Sequence, residues 1–258
     1  MELQSEYHYN HIKMTDKKKI RIAALGDIHM KVTDKGLWTE CFAEISKKAD
    51  IFLLCGDLTD TGDEEEARAL AEELKAIRIP VVSVLGNHDH EKGRQKLIRQ
   101  ILQDHKVSVL EGESLVIEQV GFAGTKGFGG GFDQYLLSMF GEEAMKSFVQ
   151  EVVDESLQLD RALARLEQDH PNIPKIVILH YSPIKETVIG EPEQIYPFLG
   201  SSRLAEPIDR RKVFAVFHGH AHAGQLSGTT VNGIQVYNVA LPILKSVGKK
   251  FPYYLLEV

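Results

Sequence analysis

Five short polar clusters punctuate this 258-residue chain: Asp27-x-His29, Gly56-Asp57-x-x-Asp60, Gly86-Asn87-His88-Asp89, His180, and Gly219-His220-x-His222. Carboxylate, imidazole and amide oxygen form a hard-to-borderline donor set. It suits Mn²⁺, Fe or Zn²⁺ and disfavours thiophilic ions. Histidine also transfers protons near neutral pH. Taken singly, each cluster has an ordinary reading. Asp-x-His and Gly-Asp are common turn and cap pairs, and a lone His180 is more often a hydrogen-bonded core residue. His220-x-His222 is stronger, because alternate residues of an extended segment face one side. The weight lies in their joint placement, each cluster after an apolar run.

The runs at 20–25, Ile51–Cys55 and 81–85 lead into Gly26, Gly56 and Gly86, which precede Asp27, Asp57 and Asn87. Between them, residues 36–49 have helical spacing, with Leu37, Cys41 and Ile45 on one face and Phe42 beside them. Residues 64–76 are dense in Glu, Ala, Leu and Lys, strong helix formers. The pattern predicts βαβαβ with parallel strands. Asp27, Asp57 and Asn87 are 30 residues apart at each step, the length of one βαβ unit. Right-handed crossovers put the C-terminal ends of such strands on one sheet edge. The three polar residues should therefore converge in the crevice where open α/β sheets bind ligands.

Beyond residue 105 the pattern changes. Short strands are expected at 106–110, 115–119, Val120–Gly124, 176–179, 213–217, 229–231, 234–238 and 253–258. One or two long helices are expected at 142–168, as a surface helix, a cleft cap or a dimer face. A helical turn limited by Pro207 is expected at 204–209. The glycine-rich loop 124–132 lacks the G-x-x-x-x-G-K-S/T pattern of nucleotide P-loops and reads as a hinge or cleft lip. A single domain over 1–258 is expected, with an N-terminal arm over 1–19 and a cap or insertion over 125–170.

Thirty Lys and Arg against 37 Asp and Glu give a net charge of −7. That balance argues against broad binding to nucleic acid or anionic membrane. Two cysteines, Cys41 and Cys55, form no CxxC motif, so disulfide and thiolate-zinc scaffolds are disfavoured. No apolar stretch has signal-peptide or membrane-span length. A soluble, cytoplasmic, reduced protein is expected.

In this order the clusters resemble the signature of the calcineurin-like metallophosphoesterases: D-x-H, G-D, G-N-H-(D/E), H, G-H-x-H. The resemblance spans residues 20–222. It implies an α/β fold, a four-layer α/β/β/α sandwich of two mixed β-sheets flanked by helices. It also implies a site for two divalent metal ions, manganese first, with iron or zinc as alternatives. By motif position Asp27, His29 and His222 would hold one ion, and Asn87, His180 and His220 the other. Asp57 would bridge both, a carboxylate being the side chain best suited to span ions ~3.5–4 Å apart. Two such ions outweigh Asp27, Asp57 and a bridging hydroxide by about one positive charge, which attracts phosphate to an acidic protein. The hydroxide would attack phosphorus in line while the ions neutralise the phosphoryl oxygens.

By the same resemblance His88 contacts a phosphoryl oxygen or protonates the leaving alkoxide, and Asp89 orients His88. Asp60 is given no ligand role, and His90 and His218 sit beside the motifs with roles left open. A serine cap near residue 202 with Arg203 would offer donors to a phosphate, so Ser202 and Arg203 are candidate substrate contacts; the other reading is an ordinary helix cap. The function implied is metal-dependent hydrolysis of phosphoric esters, as a phosphodiesterase on a small or nucleotide-like substrate. The alternatives are a phosphomonoesterase or protein phosphatase, or a non-catalytic scaffold on the same fold. The expected partner is a small phosphoester, with no membrane or nucleic acid, and a homodimer left open.

Overall fold

The computed structural model describes residues 19–258, so nearly all of the expected N-terminal arm lies outside the described residues. The first half runs β1 (Arg21–Leu25), α1 (Thr39–Lys48), β2 (Ile51–Cys55), α2 (Glu64–Glu73), β3 (Val81–Val84), α3 (Asn87–His90), α4 (Gln95–Asp104) and β4 (Val107–Val109). The second half begins with β5 (Glu113–Ile117), β6 (Val120–Gly124), α5 (Glu143–Asp169) and β7 (Lys175–Ile178). It continues through α6 (Tyr196–Leu199), α7 (Ala205–Arg210), β8 (Ala215–His218), β9 (Ser227–Thr229), β10 (Gln235–Asn238), α8 (Leu241–Ser246) and β11 (Tyr254–Glu257).

Two mixed sheets result. The first has the order β11-β1-β2-β3-β4, and the second β5-β6-β7-β8-β10-β9. In the first, β1 to β4 are parallel and β11 lies antiparallel on β1. In the second, β6, β7, β8 and β10 are parallel, with β5 and β9 antiparallel at the edges.

Side-chain alternation makes the layers. Phe122, Ile176, Ile178 and Phe217 of the second sheet join Ile22, Leu54 and Val82 of the first in one core. The intervening Ala123, Val177 and Val216 face the other way and pack on Val152, Leu159 and Leu163 of α5. A period of two can serve both faces only if both are covered. Phe42 of α1, Leu70 of α2 and Ile98 of α4 join the first core and close the outer face of the first sheet. The expected helix–sheet–sheet–helix sandwich is present.

Several boundaries differ from expectation. The helix expected at 36–49 begins at Thr39. Gly36, at φ 87°, turns the chain before it, and Leu37 is 70% exposed rather than on the buried face. Residues 142–168 give one helix of 27 residues. The expected cap or insertion at 125–170 resolves into a loop and α5, which is itself a layer of the sandwich. Helices α4 and α8 lie outside the expected elements, although Ile98, Ile101 and Leu102 bury one face of α4 at helical spacing. Among the described residues no helix is long and apolar enough to cross a membrane.

Candidate metal centre

The clusters meet at the C-terminal ends of β1, β2, β3, β7 and β8. Asp27, His29, Asp57 and His220 all have positive φ, at 58°, 46°, 48° and 69°. Residues other than glycine hold such angles at a cost of order 1–3 kcal/mol, where surrounding structure enforces them. Backbone bonds between the loops do so here. Asp27 N donates to Gly56 O, and His29 N to Asp57 O, both at 3.0 Å. Gly219 N donates to His180 O at 3.1 Å. The carboxylates add cross-links: His220 N donates to Asp27 at 3.0 Å, and His88 N to Asp57 Oδ1 at 2.9 Å. Two glycines permit this closeness. A Cβ at Gly86 would stand 2.1 Å from Asp57 Oδ1, and one at Gly219 2.2 Å from Asp27 Oδ2.

Three groups of donor atoms converge, each within 4.8 Å: Asp27, His29 and His222; Asp57, His180 and His220; His29, Asp57 and His88. Asp57 Oδ1 lies 3.3 Å from His180 Nε2, and Oδ2 lies 3.7 Å from His29 Nε2. Its two oxygens thus face the two sides of the centre. Asn87 Oδ1 is 2.9 Å from His180 Nε2, and His222 Nε2 is 3.0 Å from Asp27 Oδ1. All seven residues expected to hold the ions therefore lie in one centre.

The chemistry of the centre fits divalent cations. Asp27 and Asp57 are each 1% exposed, and among the described residues neither has a Lys or Arg partner. Buried carboxylates without a cation are costly. His29 Nε2 is buried with no hydrogen-bond partner among the described residues. The protein offers partial compensation of its own. Burial opposes the charged form of His180, yet the nearby Asp57 and Asp27 carboxylates push its pKa up to about 9. Burial likewise works against Asp57 ionisation, but His180 and the His88 amide hold it well below the usual carboxylate range. Burial and His180 push His220 down to about 4, leaving it a neutral donor. An ion bound here would displace the proton that His180 carries.

Asp89 does not orient His88. Its oxygens accept from Leu58 N, Thr59 N, Thr59 Oγ1 and Gly86 N at 2.6–3.2 Å. It is wholly buried, and burial with the Asp57 charge raises it to about 6. Its work is to lock the loop after β2 to the turn after β3. His88 is oriented instead by the Asp60 carbonyl, 2.6 Å from its Nδ1. The two open histidines also take places. His218 is a core residue, with Nδ1 facing Gly219 O and Nε2 facing Thr187 Oγ1. His90 is half-buried beside Lys126 and His180, with Nε2 lacking a hydrogen-bond partner among the described residues.

Ser202 and Arg203 are not brought to the centre. Ser201, not Ser202, caps the short turn at 202–204. Ser202 Oγ accepts from Asp133 N at 3.1 Å, and an Arg203 Nη2 donates to Leu137 O at 3.4 Å. Both hold the loop 131–137, because the turn packs against α5 rather than opening on the cluster.

Other residues escape sequence reasoning. Lys126 O accepts from His180 N and Tyr181 N at 3.0 and 3.1 Å. Its loop is tied to α5 by Glu155, which accepts from Thr125 Oγ1 and Gly127 N and faces Lys126 Nζ. Phe198 O stands 3.1 Å from His220 Nε2, and the Tyr181 ring lies 4.4 Å from the His220 ring. These are backbone and packing contacts, which leave no spacing signal; only the Lys-Gly of the 124–132 loop hints at them.

The family model described as calcineurin-like phosphoesterase matches residues 20–224. A curated relative from Arcobacter nitrofigilis, named "Probable glycerophosphodiester phosphodiesterase GpdQ", is 25% identical over 199 residues, 77% of this chain and 65% of its own length. The chain thus spans about 65% of the length of that relative. The crystal structure of phosphopantetheinyl hydrolase (PptH) from Mycobacterium tuberculosis superposes with a TM-score of 0.66 at 14% identity, covering 93% of this chain and 96% of that one. The crystal structure of TT1561 of Thermus thermophilus superposes at 0.56 and 16% identity, covering 88% and 92%. At these identities the two structures speak to the fold alone.

Proposed function

The chain belongs to the calcineurin-like phosphoesterase family, and on that premise we propose that it is a metal-dependent hydrolase of phosphoric esters, working as a phosphodiesterase on a small or nucleotide-like substrate. The observation that carries the reading is Asp57, whose two oxygens face two separate histidine groups. Asp27, His29 and His222 would hold one ion, Asn87, His180 and His220 the other, and Asp57 both. Manganese, taken first here, iron and zinc would all accept this mixed set of carboxylate, amide-oxygen and imidazole donors. When bound, such ions supply a water acidified to hydroxide near neutral pH and charge to neutralise phosphoryl oxygens.

The chain's own residues supply the rest. His88 Nδ1 donates to the Asp60 carbonyl, which turns Nε2 towards the centre, 4.0 Å from Asp57 Oδ2. From there a doubly protonated His88 would donate to a phosphoryl oxygen or pass its Nε2 proton to the leaving alkoxide, becoming the neutral ring that keeps its Nδ1–H. Asp89 and the cross-loop bonds keep Asp57 and Asn87 in place before substrate arrives, so little reorganisation is needed. The diester preference is supported by the name of the Arcobacter nitrofigilis relative. Every expected ligand residue is present, which disfavours a non-catalytic scaffold.

The test is hydrolysis of bis(p-nitrophenyl) phosphate and p-nitrophenyl phosphate with added Mn²⁺. Faster turnover of the diester, abolished by a chelator and restored by Mn²⁺, is expected. Metal-loaded, folded protein that hydrolyses neither ester would sink the enzyme reading. A monoester preference would move the function to a phosphomonoesterase.

A further inference from the structure

The loops after β6 and β7 enclose a second feature on the same edge of the sandwich as the metal centre. It is a pocket of about 240 Å³ lined by Phe132, Tyr135, Tyr196 and Pro197, with Lys185 and Glu193 among its walls. Its lining is rich in rings. Phe132 and Tyr196 meet edge to face with centroids 6.4 Å apart, while Tyr135 is 72% exposed and forms the outer lip. Among the described residues neither Lys185 nor Glu193 has an ion-pair partner, so both remain available to a ligand.

The pocket borders the centre through packed residues. Phe132, 3% exposed, packs in one small core with Ala221, and Tyr196 packs against it. Ala221 lies between His220 and His222 in the chain. Phe198, next in the chain to the lining residue Pro197, has its carbonyl oxygen 3.1 Å from His220 Nε2. The pocket is also a built feature rather than a gap between mobile loops. Ser202 Oγ and an Arg203 Nη2 hold Asp133 N and Leu137 O, and Gly131 N donates to Gly200 O at 3.0 Å.

We propose that this pocket is a substrate subsite that takes an aromatic ring carried on one arm of the phosphoester. The proposal rests on the phosphoesterase reading above. Drug-sized ligands occupy pockets of ≈ 300–1,000 Å³, so about 240 Å³ admits one ring system. Aromatic walls prefer a flat ring, which they meet face to edge or offset. An ammonium and a carboxylate in the same pocket add a donor and an acceptor for polar groups on that ring. The protein would then select esters by the ring on the alcohol while the metal centre handles the phosphoryl group.

Three methyl phosphodiesters test this, differing only in the second arm: methyl, n-hexyl and 2-phenylethyl. Hydrolysis by Mn²⁺-loaded full chain is followed by phosphorus NMR. The phenylethyl ester should exceed the dimethyl ester in kcat/KM by about 10-fold or more, a size usual for an apolar pocket, and should also exceed the hexyl ester. In Tyr196→Ala and in Tyr135→Ala the phenylethyl-to-dimethyl ratio should fall towards 1, mainly through KM. Tyr135 is an exposed side chain, so its variant keeps the test alive if Tyr196→Ala fails to fold. Equal rates for hexyl and phenylethyl esters, or ratios unmoved in a folded variant, overturn the subsite. Absence of hydrolysis of all three esters and of the nitrophenyl esters instead overturns the phosphoesterase reading.

Discussion

The two sheets contribute different chemistry to one centre. The first sheet brings Asp27, Asp57 and Asn87 close to its strand ends, with His29 and His88 just behind. The second brings imidazoles alone: His180, His220 and His222. Neither set is complete. Asp27 and His29 need His222, and Asp57 needs His180 and His220. The means of support differ as well. The first half positions its oxygens through short turns and one buried carboxylate, Asp89. The second half uses long loops, anchored by Glu155 on α5 and by the loop 131–137. The contrast teaches that the metal centre is a property of the sandwich: sheet-to-sheet packing is what brings charge and imidazole together.

The largest effect is expected where the halves join. Asp57→Ala should reduce bound metal from two ions per chain towards none, measured by elemental analysis, with activity lost in parallel. A variant that still binds two ions normally would show that Asp57 is not shared between them. Next comes His88→Ala, confined to the first half. It should keep both ions but lower kcat by about 10²–10⁴, the usual worth of a positioned acid. Metal loss in that variant would make His88 a ligand instead.

A third effect belongs to the second half alone. Burial pushes His218 from its ordinary 6.5 down to about 4. Its folded pKa is therefore depressed, so the stability it confers is complete above pH 6.5 and is lost as pH falls towards 4. The loss is roughly 3 kcal/mol across that window. Thermal midpoints of metal-free protein should fall more between pH 7.5 and 4.5 for the wild type than for His218→Gln. Parallel falls would remove His218 from the account.

The smallest effect separates the supports. Glu155→Gln leaves the half-buried Lys126 with Glu151 as its remaining charged partner and loosens the loop that accepts the His180 amide. A cost of about 1–3 kcal/mol is expected from such a buried polar loss, read as a lower denaturation midpoint. Affinity should fall about 10-fold, as for other contacts that orient ligands, for one of the two ions only. Equal weakening of both ions, seen by titration calorimetry, would show that Glu155 acts on the whole fold instead.

Much of the first half is legible in the amino-acid order. The spacing of Asp27, Asp57 and Asn87, with an apolar run before each, is a local periodic signal, and parallel strands translate it directly into one sheet edge. Helix α4 carries a signal too, in Leu97, Ile98, Ile101 and Leu102, but no chemistry-bearing cluster follows it to draw attention. The second half is harder to read. Its helix over 143–169 is plain from composition, yet nothing in it says that it packs on a sheet rather than capping a cleft. Asp89 illustrates the limit most sharply. Adjacency to His88 suggests an orienting pair, but successive residues of a helical turn point apart, and the carboxylate turns inward to four backbone and hydroxyl donors.

By itself, then, the sequence determined residue types, their order and the strand ends that carry them, because these depend on short-range spacing. It also determined the acid–imidazole composition that calls for a divalent cation. Tertiary structure alone decided which histidine faces which carboxylate, what holds His88, and where Ser202 and Arg203 point. Those outcomes depend on contacts between residues up to 195 positions apart, as for Asp27 and His222, and such contacts form only when two sheets pack face to face.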